Sequence, residues 1–137
     1  MKISPGFAGS RLMQMRRFGP DVLAKFQKLV SHKNVELIAV EPYHSFSFYL
    51  DINTFAERMQ WGKRQLEETF QKSISVTDTT EMFMSNEVYF QLQKSGFKGT
   101  VMDGRPWVMG WREPSHIYRY PGKEMRLFTR QFRSPGD

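Results

Sequence analysis

The sequence predicts an α+β fold: a single domain in which amphipathic helices pack on an antiparallel sheet with a C-terminal β-meander. Three observations carry this. Residues 51–70 place apolar side chains at helical spacing. Residues 96–133 alternate like strands between turn signals at Asp103-Gly104, Pro114 and Pro121-Gly122. The chain has 137 residues and 39% hydrophobic content, enough to bury a core without staples.

Taken in order, residues 1–19 read as an irregular N-terminal arm, with turns at Pro5-Gly6 and Gly9 and a charge pair at Arg16-Arg17. Gly19-Pro20-Asp21 starts a helix, with proline in the first turn and an acid near the positive dipole end. Its apolar stripe is Val22, Leu23, Phe26, Leu29 and Val30, and it ends near His32-Lys33-Asn34. Val35 to Val40 reads as a strand, Glu41-Pro42-Tyr43 as a turn, and the alternating run His44 to Asp51 as a second, antiparallel strand.

The clearest helix follows. Asp51 or Asn53 caps it, Phe55, Met59, Gly62, Leu66 and Phe70 line one face, and Lys63–Glu67 and Arg64–Glu68 are i,i+4 pairs on the other. Gly62 weakens the helix locally but lets another backbone approach. Trp61 lies off the stripe and reads as packed under a loop.

Ser73 to Thr77 reads as a short strand or a link. Asp78-Thr-Thr-Glu81 reads as a capping box for a helix running to Lys94 and ending at Ser95-Gly96. Val88, Phe90 and Leu92 also alternate, so a strand competes with that helix. Beyond Gly96 the chain reads as four strands: 100–102, 107–109, 116–120 and 124–132. Residues 134–137 read as a frayed tail, and no internal repeat divides the chain.

Net charge is +6 and unevenly spread. Residues 1–33 carry seven basic groups against one acid, residues 34–95 five against nine, and residues 96–133 eight against three. Basic ends around an acidic centre favour a polyanionic partner. There are no cysteines, so disulfides and thiolate metal sites are excluded, and no apolar run approaches membrane-spanning length. The expected location is the cytoplasm.

Catalytic signatures are absent. The glycines match no phosphate loop, and no nucleophile elbow occurs. His32, His44 and His116 have no metal spacing, and no metal or other cofactor is expected. Glu36, Glu41 and Asp51 could converge, but solvation and capping account for them. His44 and His116 would suffice for metal-independent ribonuclease chemistry if they met.

The residues left to explain are arginines interleaved with aromatics, which suit stacked bases and a phosphate backbone. The sequence therefore predicts a small basic, non-catalytic binding protein. Its expected partner is nucleic acid, single-stranded by preference, or an acidic or nucleic-acid-handling protein. The candidate surface is Arg16, Arg17, Arg105, Trp107, Trp111, Arg112, Arg119, Arg126, Phe128, Arg130 and Phe132. Nine methionines fit a protein-binding inhibitor as the second reading.

Overall fold

A computed structural model describes residues 2–131. The amphipathic stripe read from the sequence organises it. Helix α4 (Ile52–Phe70) buries Phe55, Met59, Gly62, Leu66 and Phe70, every position of that stripe. Asp51 caps it: its carboxylate accepts from Thr54 Oγ1 at 2.6 Å and the Asn53 N–H at 2.9 Å. Those bonds, the Thr54 hydroxyl first, hold the Asp51 carboxyl below its ordinary range. At Gly62 an added Cβ would stand 3.3 Å from Pro42 and 3.4 Å from the Val40 carbonyl. The glycine brings the helix onto the end of the first strand.

The sheet is where the structure departs from expectation. Its five strands are β1 (Ile38–Val40), β2 (Val76–Asp78), β3 (Gly99–Met102), β4 (Ile117–Tyr118) and β5 (Arg126–Thr129), in the order β1-β2-β3-β5-β4. The pairs β1–β2, β2–β3 and β3–β5 are parallel, and only β4–β5 is antiparallel. The sheet is thus mostly parallel, and the predicted antiparallel sheet with a C-terminal meander is corrected. The physical reason is the order of elements. β1 is followed by α4 and then β2, and β2 by α5 (Asn86–Lys94) and then β3. A helix between strands carries the chain back to start the next strand in the same direction.

Other local expectations change with it. The run from His44 is a loop and a short helix, α3 (Ser47–Leu50), because Phe48 turns inward onto Phe83 and Phe55, at ring distances of 4.6 and 5.6 Å. Residues 107–109 belong to helix α6 (Pro106–Met109), started by proline, so there is no hairpin at Asp103-Gly104. Residues Gly9–Phe18 form helix α1, correcting the irregular arm, and α2 spans Pro20–Val30. Ser85, not Asp78, caps α5 by accepting from the Val88 N–H.

The core lies between these helices and the sheet, with Leu37, Ala39, Phe55, Met59, Leu66, Val88, Tyr89, Leu92 and Met125 buried. Tyr89 is the largest fully buried side chain, and its hydroxyl donates to the Met125 carbonyl at 2.7 Å. Among the described residues no helix is long and apolar enough to cross a membrane.

Candidate active site at the strand ends

Parallel strands share a direction, so the C-terminal ends of β1, β2, β3 and β5 open on the same side of the sheet. That is where loops from such sheets gather functional groups. Each of these four ends carries charged or polar residues here. Beyond β1 stand Glu41 and His44; β2 ends on Asp78 and leads to Glu81; beyond β3 stand Asp103 and Arg105; beyond β5 stand Arg130 and Gln131.

Glu41 shapes the first loop. Its buried carboxylate accepts the N–H groups of Tyr43 at 2.8 Å and Ser45 at 2.7 Å, and the Ser45 hydroxyl at 3.1 Å. Arg58 lies 3.9 Å away and donates to Ser45 Oγ at 3.1 Å. A carboxylate holding three donors forces a tight turn, and His44 occupies its left-handed position at φ 52°. There its Nε2 lies 3.3 Å from Glu81 Oε1.

Glu81 is itself held in the left-handed region, at φ 55° and ψ 25°, and Met82 follows at φ 54°. Two successive non-glycine residues in that region are uncommon and cost energy. The surrounding loops enforce them. The buried Thr80 hydroxyl donates to the Ser45 carbonyl at 2.8 Å, Thr79 Oγ1 donates to Phe83 O at 2.5 Å, and the Asp103 N–H donates to the Met82 carbonyl at 3.3 Å. The result is a Glu81 side chain that is 69% exposed, in a cleft of about 270 Å³ shared with Met82, Asp103, Arg105, Arg130 and Gln131. Arg105 is ion-paired to Asp103 and also donates to it through its backbone N–H, at 3.1 Å.

Asp78, the last residue of β2, is half-buried three residues before Glu81. Burial raises its carboxyl pKa; the Thr79 N–H and the charges of His44 and Arg130 lower it, and Glu81 raises it further. Among the described residues its Oδ1 has no hydrogen-bond partner. Because the folded value lies above the unfolded one, folding favours the protonated form. The associated stability is complete below the ordinary value of 3.8 and is lost as pH rises through the elevated folded value. Asp78→Asn is therefore expected to raise Tm at pH 7, with the advantage fading as pH falls to 4. Thermal melts across that range check it, and a lower Tm for the variant at pH 7 would refute the reading.

The residues singled out in the sequence divide. Arg105 and Arg130 line the cleft, with Trp107 beside Arg105, whose guanidinium lies 4.8 Å from the indole centre. Trp111 and Arg112 form a second such pair at 5.0 Å. Arg16 is turned inward onto α4, donating to Gln65 and Thr69, and Arg17 covers the Phe18 ring. Arg112 and Arg119 border a separate hollow with Tyr118 and Tyr120. Arg126 is exposed on β5, while Phe128 is half-buried and packs against Gly99. Phe132 lies outside the described residues. The basic groups therefore do not form one face. His44 meets Glu81, whereas His116 neighbours Ser115 and Tyr118, so the ribonuclease pair is not assembled.

Sequence reasoning missed Glu81, Asp78 and Asp103. The signal available was the strand–helix–strand order around Asp78-Thr-Thr-Glu81, which puts an acid at the C-terminal end of a parallel strand.

Comparison with known proteins covers nearly the whole chain. A family model described as Glycosyl hydrolase family 57 matches residues 1–133. A Methanocaldococcus jannaschii protein assigned as an alpha-amylase is 29% identical over 137 residues, covering 99% of this chain and 29% of the relative. Three solved structures share the fold. The 4-alpha-glucanotransferase of Thermococcus litoralis has a TM-score of 0.82 at 15% identity, covering 96% of this chain and 21% of that one. The alpha-amylase AmyC of Thermotoga maritima has a TM-score of 0.68 at 14% identity, covering 89% and 24%. A branching enzyme of Thermococcus kodakaraensis, solved with glucose, has a TM-score of 0.65 at 14% identity, covering 88% and 28%. The chain thus spans about a quarter of the length of these proteins. These matches overturn the nucleic-acid-binding, inhibitor and ribonuclease readings, and with them the nucleic-acid and nucleic-acid-handling partners.

Proposed function

Since the chain belongs to glycosyl hydrolase family 57, we propose that it supplies the carboxylate nucleophile of an enzyme acting on α-glucans, and that this nucleophile is Glu81. One observation carries the assignment: an exposed carboxylate held in a strained backbone conformation at the C-terminal end of a parallel strand, facing a cleft. Strain of this kind persists where surrounding structure imposes it, and it gathers at functional positions.

The chemistry follows from the residue type. Glu81 Oε attacks the anomeric carbon, the bond from that carbon to the leaving oxygen breaks, and a glycosyl ester forms on Glu81. The leaving oxygen takes a proton from a carboxylic acid, a role we assign to no residue of this chain. Water or a sugar hydroxyl then attacks the same carbon and frees Glu81. The relatives' names support the ester. A glucanotransferase and a branching enzyme move a glucan segment to a new hydroxyl, and an ester holds the segment between donor and acceptor. His44, whose Nε2 lies 3.3 Å from Glu81 Oε1, and Arg130, which lines the same cleft, are placed to stabilise the negative charge of Glu81 before attack and after release, while Arg105 is held by Asp103.

An activated donor tests the nucleophile separately from the proton donor. Incubation with α-maltosyl fluoride carrying a second fluorine at C5 is expected to add one maltosyl unit, which peptide mass spectrometry places on Glu81. Fluoride leaves without a proton, so the experiment asks only about the attacking group. A label on another carboxylate, or none, would overturn the assignment.

A further inference from the structure

We propose that Trp107 and Trp111 form an aromatic subsite for the α-glucan chain, extending outward from the Glu81 cleft along the loop that follows β3. The inference rests on the reading of the cleft as a glucan site and adds to it a second set of residues.

The loop starts where it must for this purpose. Asp103 and Arg105 leave the C-terminal end of β3, and Arg105 lines the cleft while its guanidinium lies 4.8 Å from the Trp107 ring centre. Trp107 is therefore one side chain away from the cleft that holds Glu81. Trp111 lies four residues on, just past the single turn of α6, with Arg112 at 5.0 Å from its ring. Arg112 borders the neighbouring hollow lined by Tyr118, Arg119 and Tyr120, so the indoles lie on the stretch of chain between the two depressions. The two indoles are 70% and 87% exposed, whereas the third tryptophan of the chain, Trp61, is half-buried. Exposed rings of this size forgo burial that folding would reward.

The loop is also held rather than free. Arg105 is locked to Asp103 through both side chain and backbone, Pro106 starts α6, and the Thr129 hydroxyl donates to the Pro114 carbonyl. A held loop presents its rings in a constant place, which lowers the ordering cost of binding.

The chemistry of the pairs selects the ligand class. A pyranose ring has flat C–H faces that lie against an indole and a rim of hydroxyls that accept from guanidinium N–H groups and donate to carboxylates. Trp107 with Arg105 and Asp103, and Trp111 with Arg112, supply both kinds of contact. A phosphate backbone would instead need a row of unpaired cations, and Arg105 is already neutralised by Asp103.

Binding is measured on the full chain carrying Glu81→Gln, so that no turnover intervenes, by calorimetric titration with maltoheptaose. Trp107→Ala and Trp111→Ala are each expected to weaken binding about tenfold, while Trp107→Phe and Trp111→Phe, which keep a flat ring, stay within about threefold. Tm is read in parallel. Unchanged affinity in both alanine variants would overturn the subsite while leaving the labelling of Glu81 untouched. Unchanged affinity with a lowered Tm would show that the rings serve packing, and would equally overturn it. Absence of any maltoheptaose binding, together with absence of label on Glu81, would remove the glucan reading itself.

Discussion

Glu81→Gln is expected to lower turnover of an α-glucan by roughly 10³-fold or more, the scale on which losing an enzyme's nucleophile is felt, while Tm stays near that of the wild type. Both halves follow from the site. The amide keeps the shape of the side chain but cannot attack an anomeric carbon. The side chain is 69% exposed and, among the described residues, its ion pair is to an exposed histidine, so its loss costs the fold little. Glu81→Gly separates the side chain from its backbone. Glycine accepts φ 55° without the clash that Cβ makes there, so this variant is expected to match the rate loss while raising Tm by a few degrees. A protein that melts higher without its attacking group would show that strain is held at Glu81 for function rather than stability. Turnover above a tenth of wild type in Glu81→Gln would dismiss the nucleophile assignment.

The legibility of this chain in its sequence depended on how each residue acts. Helix α4 was readable because it is 19 residues long and its stripe faces one core, so periodicity and burial coincide. The sheet was not, because its strands run from two to four residues. A run as short as Ile-Ala-Val or Val-Thr-Asp shows β character without indicating its neighbour or direction. Pairing across β1 and β2 joins residues 38 positions apart, such as Ile38 with Val76, and no local pattern records such a partner. The order of strand and helix did record it, through the crossover each helix makes. Glu81 was legible as an acid near a helix start and unreadable as a site, since its role comes from the loops of β1 and β3 that clamp it. The arginines misled for a related reason. Arg16 and Arg105 are already engaged by Thr69 and Asp103, and a count of cations cannot see which are spoken for.

Gly104 shows the same limit and yields the second large effect. Asp-Gly between two apolar runs reads as a hairpin turn, where glycine supplies a positive φ. Gly96, Gly110 and Gly122 do have positive φ, at 83°, 62° and 68°, but Gly104 does not. It is a glycine because β5 ends against it: an added Cβ would stand 1.8 Å from the Arg130 carbonyl oxygen, 2.9 Å from its carbonyl carbon and 3.2 Å from Pro114. The first two are backbone atoms, and the Arg130 N–H is tied to the Met102 carbonyl at 2.9 Å, so neither strand can yield without breaking the β3–β5 pairing. Gly104→Ala is expected to destabilise the fold by about 3 kcal/mol, the upper range for overpacking, and to lower Tm by about 10 °C. Gly96→Ala provides the comparison. Its Cβ meets nothing within 4 Å, so it carries only the backbone cost of about 1 kcal/mol. A Tm for Gly104→Ala within 2 °C of the wild type would show that the approach of β5 is not the reason for the glycine. The variant reaches function as well, because Asp103, Arg105 and Arg130 flank this contact and line the Glu81 cleft. Spreading β3 from β5 displaces Arg130 and the Asp103–Arg105 pair that line the cleft with Glu81, so residual folded Gly104→Ala protein is expected to take up the maltosyl label more slowly than Gly96→Ala under the same conditions.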